Sequence, residues 1–319
     1  MEQKIAETDA GYFLGFDGGG SKTECILTDG KGRILARATG GPSNPMRSGY
    51  AKAWFSLGEA ADVVLCHEKL TSNDIRGICA GIGGAGRDGV AWRLKSFFER
   101  SYRNAEVRVT TDLEVALEAA FGEGEGVLLL AGTGSAAFGR DAEGLTARAG
   151  GRGPWFSDEG SAFDIGKRAF SAIVLAQEHR GPATALTERI LSWHKFQTWD
   201  TLLDQIVKNA DEVFPKTFPL VAQLADKDDA VSRAILSAAA GSLAGLAASV
   251  VNELGWLERE VPFAQVGGVF GRSKFFDAAI ESELAKAVPR IRLVAVKISP
   301  AEAAARMALR LPCAEGHAA

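Results

Sequence analysis

The stretch FLGFDGGGSKT, Phe13 to Thr23, recurs later in the chain in altered form, and that recurrence constrains the fold more than any other feature of the sequence. An apolar run, Tyr12-Phe13-Leu14, leads to Asp17. Gly18, Gly19 and Gly20 follow, then Ser21, Lys22 and Thr23, then Glu24-Cys25-Ile26-Leu27-Thr28-Asp29 and a Gly30-Lys31-Gly32 turn. A P-loop is the obvious comparison, but here Ser21 stands between Gly20 and Lys22, so the spacing is off by one. A P-loop must also open a long helix, and the residues between Thr23 and Gly30 suit a strand instead. The stretch therefore reads as strand, glycine turn, strand. Glycines in such a bend let backbone N–H groups approach a phosphate with no Cβ in the way. Lys22 and the hydroxyls of Ser21 and Thr23 could add donors. Asp17, at a strand end, is placed to hold a hydrated Mg²⁺ that shares phosphate oxygens. Taken alone, an ordinary hairpin with a flexible turn fits these residues equally well.

The second copy is Gly126 to Arg140, GVLLLAGTGSAAFGR, with a turn at Gly132-Thr133-Gly134-Ser135 between two strands. The surrounding chain repeats as well. The first half reads strands 12–17, 23–29 and 32–39, helix 48–66, strand 75–82, helix 88–102, strand 106–111 and helix 113–121. The second reads strands 126–132, 135–140 and 145–149, helix 161–178, strand 263–269, helix 274–287, strand 290–296 and helix 300–311. Both halves are βββαβαβα, and the second carries a helix-rich insertion from about 179 to 260. The fold class is α/β, duplicated.

With FDGGGSKT, GGPSNP, TTD, AGTGS, SDEGSA and VGGVFG in this order, the chain resembles the actin-like (ribonuclease H-like) ATPase superfamily of sugar kinases, Hsp70 and actin. More narrowly it resembles the BadF/BadG/BcrA/BcrD ATPase family, whose best-known members are N-acetylglucosamine kinases. The resemblance implies an N-terminal domain over 1–121 and a C-terminal domain over 122–319, with a nucleotide cleft between them and helix 300–311 crossing back to the first. It implies ATP with Mg²⁺ as cofactors and a small-molecule amino sugar as substrate. Gly18 to Thr23 and Gly132 to Ser135 would hold the phosphates, with Thr133 and Ser135 as donors. Gly267, Gly268 and Val269 would form the adenosine motif.

Phosphoryl transfer to a hydroxyl needs a carboxylate within hydrogen-bond reach to accept the proton. Similar kinases keep it at a carboxyl strand end, which here is Asp112. The plainer reading of Asp112 is an N-cap of helix 113–121, since Asp is a preferred cap. In the GGPSNP loop, Asn44 would bind a sugar hydroxyl in place of being a turn residue only. Gly151 would contact the sugar and Asp158 would be a second sugar ligand, whereas the plain reading there is a capping cluster with Ser161 as cap. The Gly81–Arg87 loop either lines the sugar cleft or is a strand-to-helix turn. One departure stands out: such kinases usually carry Gly-Trp-Gly where this chain has Gly151-Arg152-Gly153. Arg152 brings a charge to the sugar loop, which admits an acidic or an amino sugar.

A length of 319 residues supports two domains and a sizeable core. A net charge of -4 gives no basic footprint for nucleic acid. The Ala-rich helix near 229–254 is long, but Asp229, Arg233 and Glu253 bracket it, so no membrane span is expected. The first residues, MEQKIAETDAG, carry no apolar signal region. Cys25, Cys66, Cys79 and Cys313 are scattered with no C-x-x-C pair, which suits a reducing cytoplasm. A homodimer is the candidate assembly. Two other functions share the fold. An activator of 2-hydroxyacyl-CoA dehydratases would need cluster cysteines near Gly267-Gly268, and residues 80–312 contain none. A sugar-sensing regulator would carry a helix-turn-helix domain ahead of the first strand at residue 12.

Overall fold

A computed structural model describes residues 11–195 and 198–312; most of the first stretch read for a signal, and Cys313, lie outside them. The chain divides into two compact units, one running to Glu123 and resuming at Val296, the other Gly124–Ala295. In chain order the elements are β1 (Tyr12–Gly18), β2 (Thr23–Thr28), β3 (Ile34–Gly40), α1 (Pro45–Ser48), α2 (Tyr50–Glu68), β4 (Ile75–Ile82), α3 (Val90–Ser101), β5 (Glu106–Thr110), α4 (Asp112–Phe121), β6 (Gly126–Ala131), β7 (Ser135–Arg140), β8 (Thr146–Gly150), α5 (Ala162–Gln177), α6 (Leu186–His194), α7 (Trp199–Ala225), α8 (Ala230–Glu253), β9 (Val261–Val266), α9 (Lys274–Ala287), β10 (Ile291–Leu293) and α10 (Pro300–Leu309).

Each unit holds one five-stranded sheet, ordered β3-β2-β1-β4-β5 in the first and β8-β7-β6-β9-β10 in the second. The third, second, first, fourth and fifth strands of each half stand in the same order, so the repeat legible in the sequence is a repeat of topology. In each sheet the first three strands are antiparallel hairpins and the next two run parallel to the first.

The first sheet is covered on both faces. On one side, Leu14, Phe16, Leu27 and Ile78 pack with Leu57, Ala61 and Val64 of α2 and with Leu94 and Phe98 of α3. The other face receives α10, whose Ala301, Ala303, Ala304, Ala305 and Ala308 are fully buried. Two glycines explain how close α10 comes. A Cβ on Gly15 would lie 2.1 Å from the Ala305 nitrogen, and one on Gly77 would lie 2.8 Å from the Ala308 carbonyl. Small residues on both surfaces let backbone pack on backbone.

The insertion of the second unit is α6, α7 and α8. By length and composition α8 could cross a membrane, yet Leu236, Ala239, Ala240, Leu243, Ala247, Val250 and Val251 are buried in the unit's own core, as befits a central helix of a packed domain.

Several boundaries depart from the sequence expectations by a residue or more, and three of them bear on how the sheets end. β9 ends at Val266 rather than 269, because Gly267 turns the chain out of the sheet at φ 120°. β10 pairs over only Ile291–Leu293 where 290–296 was expected. It is an edge strand, and after one more bond, from the Val294 N–H to the Phe263 carbonyl at 2.8 Å, the chain leaves for α10. Helix α4 starts at Asp112, one residue early, for a reason that bears on the site.

Candidate active site

In the first unit β1, β4 and β5 run parallel, so their carboxyl ends emerge side by side, where open α/β sheets place their ligands. Gly18 is in register with Ile82, and Gly81 with Thr110. Asp17, the Gly83 turn and Asp112 therefore share one edge. A Cβ on Gly81 would lie 2.2 Å from Val115 of α4, so the bare strand lets α4 pack close and sets its first residue beside the strand ends.

The turn after β1 closes with a bond from the Gly19 N–H to the Lys22 carbonyl at 3.0 Å. The Gly19 carbonyl then accepts from the N–H groups of Ser43 (3.1 Å) and Asn44 (3.0 Å), which fastens the GGPSNP loop to the glycine turn. Gly18 is obligatory there, since a Cβ would sit 2.0 Å from the Ser43 hydroxyl oxygen. A Cβ on Gly19 would meet only the Lys22 carbonyl, at 4.0 Å. The turn thus presents bare backbone to open space, the cradle a phosphate requires. Ser21 and Lys22 are exposed beside it.

Thr23 corrects the sequence reading. It is fully buried, and its hydroxyl lies 2.7 Å from both the Gly41 carbonyl and the Ser43 hydroxyl. It braces the loop and offers nothing to a phosphate. Ser43, fully buried as its partner, was passed over in the sequence because a serine between proline and asparagine reads as ordinary loop.

Asn44 caps the short helix α1, its Oδ1 accepting from the Met46 N–H at 3.0 Å. That spends the carbonyl end of the amide. The Nδ2 end faces Gly83, where a Cβ would lie 3.0 Å from Asn44 Nδ2 and 3.2 Å from Asp112 Oδ2. One amide donor and one carboxylate oxygen therefore flank the bare face of Gly83. Asp112 is not the cap of α4. Thr111 is, its hydroxyl accepting from the Glu114 N–H at 3.2 Å; the TTD motif offered two candidates, and the hydroxyl took the role. Asp112 is the first helical residue, where the helix dipole favours its charge. Arg47, unremarked in the sequence, lays its side chain along Gly20.

Asp17 feels this crowding. Burial, then the charges of Asp112 and Glu24, push its carboxyl up to about 7, against a weaker opposing pull from Lys22. A carboxylate held at a strand end beside a second carboxylate and an open turn is a donor set that suits a divalent cation. Among the described residues no group of three or more His, Cys, Asp or Glu could hold a metal alone, so a cation at Asp17 would draw its other ligands from water and phosphate.

The second unit repeats the cradle. The turn after β6 closes from the Gly132 N–H to the Gly134 carbonyl at 2.8 Å, and the carbonyls of Gly132 and Thr133 accept from Ala162 and Phe163 at the start of α5. Gly267 covers the end of β6, for a Cβ there would lie 2.1 Å from the Ala131 carbonyl. Gly268 has nothing within 4 Å of its Cβ direction, and Gly132 only the Gly268 nitrogen at 3.9 Å. Gly132, Gly267 and Gly268 thus come together around open space. Two expectations change here. The Ser135 hydroxyl is buried and donates to the Glu159 carbonyl at 2.6 Å. Val269 points into the core while its N–H donates to the Ala131 carbonyl at 3.2 Å. Both residues support the cradle from behind.

Asp158 sits nearby, buried, with Oδ1 accepting from the Gly153 N–H at 3.3 Å and Oδ2 2.7 Å from where a Gly134 Cβ would be. It joins the 151–158 loop to the second glycine turn. Gly151 is in the left-handed region at φ 69° and bonds back to the Ser157 carbonyl. Ser161 caps α5 through the Asp164 N–H, so the capping role next to Asp158 is filled by another residue.

Two units with the same five-strand order, each with a glycine hairpin at the carboxyl edge of its sheet, define the actin-like fold. The chain belongs to the BadF/BadG/BcrA/BcrD ATPase family, whose model matches residues 14–308. It is 30% identical over 294 residues, 90% of this chain and 94% of the other, to an N-acetylmuramic acid/N-acetylglucosamine kinase of Clostridium acetobutylicum. It is 29% identical over 322 residues, 93% of this chain and 97% of the other, to an N-acetyl-D-glucosamine kinase of Dictyostelium discoideum. Among solved structures, a candidate N-acetylglucosamine kinase from Chromobacterium violaceum matches with TM-score 0.76 at 24% identity, covering 94% of this chain and 99% of that one; at that identity the likeness speaks to the fold. Membership of an ATPase family implies use of ATP.

Proposed function

We propose that this chain is an ATP-dependent kinase that transfers the γ-phosphate to a hydroxyl of an amino sugar, N-acetylglucosamine or glucosamine, with Mg²⁺ at Asp17. The observation that carries the reading is that Asp112 Oδ2 and Asn44 Nδ2 both lie beside the bare face of Gly83, one acceptor and one donor at the carboxyl edge of the first sheet. Asp112 accepts the proton of the attacking hydroxyl, and Asn44 donates to a neighbouring one. Asp158 accepts from a further hydroxyl, a charge-assisted bond of the stronger kind. The turns at Gly18–Lys22 and Gly132–Gly134, with Gly267 and Gly268, present backbone to the nucleotide, and Lys22 offsets phosphate charge. A cation at Asp17 would neutralise charge on the phosphates and keep Asp17 ionised. The kinase works in the cytoplasm, where its cysteines remain thiols.

The test is ATP-dependent phosphorylation of N-acetylglucosamine and glucosamine with Mg²⁺, followed by ADP release and by mass analysis of the sugar. Saturable transfer to at least one is expected. Transfer to neither, with ATP hydrolysis unaffected by any amino sugar, would refute the assignment.

A further inference from the structure

Helix α1 is one turn long, yet it is fixed at both ends and lies between two glycine turns. The Gly19 carbonyl holds the N–H groups of Ser43 (3.1 Å) and Asn44 (3.0 Å). The Asn44 carbonyl accepts from the Arg47 N–H (3.1 Å), the Ser48 N–H (3.0 Å) and the Ser48 hydroxyl (2.9 Å), while Asn44 Oδ1 caps the helix at the Met46 N–H. The Gly49 N–H closes the other end on the Pro45 carbonyl at 3.0 Å. Side chains that leave so tightly bonded a segment start from a fixed backbone.

They leave in two directions. Asn44 and Met46 face the turn after β4: a Cβ on Gly83 would lie 3.0 Å from Asn44 Nδ2, and one on Gly84 would lie 3.1 Å from Met46 Cγ. Arg47 faces the turn after β1. A Cβ on Gly20 would lie 2.8 Å from Arg47 Cδ, 2.9 Å from Nη1 and 3.6 Å from Nε. The guanidinium thus rests on the bare backbone of the turn. Gly20 is not in the left-handed region, so what its missing Cβ provides is room for Arg47. Gly20, Ser21, Lys22 and Arg47 are all exposed. Lys22 brings one cation to this turn and Arg47 a second, of a different kind. A planar guanidinium offers paired donors that match phosphate oxygens, where an ammonium acts as a point charge.

We propose that Arg47 is a phosphate ligand of the nucleotide, a second cation at the first glycine turn beside Lys22. This rests on the reading of the Gly18–Lys22 turn as the phosphate cradle of a kinase. The guanidinium donates to phosphate oxygens and offsets their charge, and it contributes nothing to the nucleoside. Helix α1 then serves both substrates, with Asn44 directed to the sugar and Arg47 to the nucleotide from one helical turn.

The experiment measures calorimetric binding of a non-hydrolysable ATP analogue with Mg²⁺, and of adenosine, to the wild type, Arg47→Gln and Arg47→Lys. Arg47→Gln should weaken the analogue roughly 10–100-fold, as expected for loss of a charge-assisted hydrogen bond, and adenosine less than about threefold. KM for ATP should rise in step, while KM for the sugar moves less. Arg47→Lys should recover part of the loss, since it keeps the charge without the fork. Binding of the analogue should fall less steeply with salt in Arg47→Gln than in the wild type. The melting temperature of the ligand-free protein should hold, because the side chain is exposed; a purely structural role would lower it and weaken both ligands alike. Unchanged affinity for the analogue in Arg47→Gln, or equal weakening of analogue and adenosine, overturns the inference and leaves the kinase assignment standing wherever the wild type phosphorylates an amino sugar. A wild type that binds no ATP analogue removes the cradle, and the kinase reading and this inference fall together.

Discussion

Asp112 and Asp17 are neighbours in the site but have opposite consequences for the fold. Thr111 caps α4, while Asp112 accepts from the Leu113 N–H through Oδ1 at 3.1 Å and is not the cap. Base catalysis is worth roughly 10²–10⁴-fold, so Asp112→Asn should lower kcat by about that factor while KM for sugar and ATP moves little. The melting temperature should hardly change, since the lost charge at the helix start is worth only about 0.3–1 kcal/mol; near-normal turnover in the purified variant would remove Asp112 from the chemistry. For Asp17 the pKa is raised from 3.8 to about 7. Between those values the folded chain holds a proton the unfolded chain has released, so its contribution favours folding at low pH and is lost as pH rises through the window. Asp17→Asn cannot lose that proton. In metal-free, nucleotide-free buffer near pH 8 it should melt higher than the wild type by about 2–4 °C, the two converging near pH 4, while kinase activity collapses. Parallel melting curves across that range would show that Asp17 carries no such burden.

At the scale of the element, the β1–β2 turn separates two glycines that look alike in sequence. Gly18 faces Ser43 and Ile82, and its Cβ would intrude on both. Gly18→Ala should therefore destabilise by about 1–3 kcal/mol, as overpacking does, and loosen the Thr23–Ser43 bond. Gly19 faces open space at a backbone angle any residue adopts. Gly19→Val should fold with a normal circular dichroism spectrum and melting temperature but lose ATP binding by calorimetry, because the side chain fills the phosphate's place. Unchanged ATP affinity in that variant would move the nucleotide elsewhere. The same logic explains why Thr23 and Ser135 act as braces: each opens the returning strand of its hairpin and turns its hydroxyl inward, to Gly41 and Ser43 in one case and to Glu159 in the other.

At the scale of the molecule, the first unit is completed by the last helix in the chain. Five alanines of α10 are fully buried, and Arg310 pairs with Glu118, a carboxylate only 5% exposed on α4. Deleting residues from Pro300 onward would uncover β1, β2 and β4 and take Arg310 from Glu118. Hydrogen exchange on the truncated chain should show β1 and β4 losing protection while β6 and β9, whose core is built within Gly124–Ala295, retain theirs. Retained protection in β1 and β4 would mean that α10 is dispensable to its unit.

What the sequence determined by itself is local. Apolar alternation, glycine turns and helical spacing gave the two hairpins, the βββαβαβα repeat and the helical insertion, because each arises from residues a few positions apart. It also marked Asp17 as a carboxylate at a strand end, whereas Asn44, Asp112 and Asp158 took their site roles from the resemblance to similar kinases. The tertiary structure decided how each polar group is used. Thr23 meets Ser43 across twenty positions, and Ser135 meets Glu159 across twenty-four. No periodicity encodes such pairings, because a hydroxyl donates to whichever acceptor the packed fold brings within about 3 Å. The same holds for the bare face of Gly83, which matters only because β1, β4 and β5 run parallel and end together.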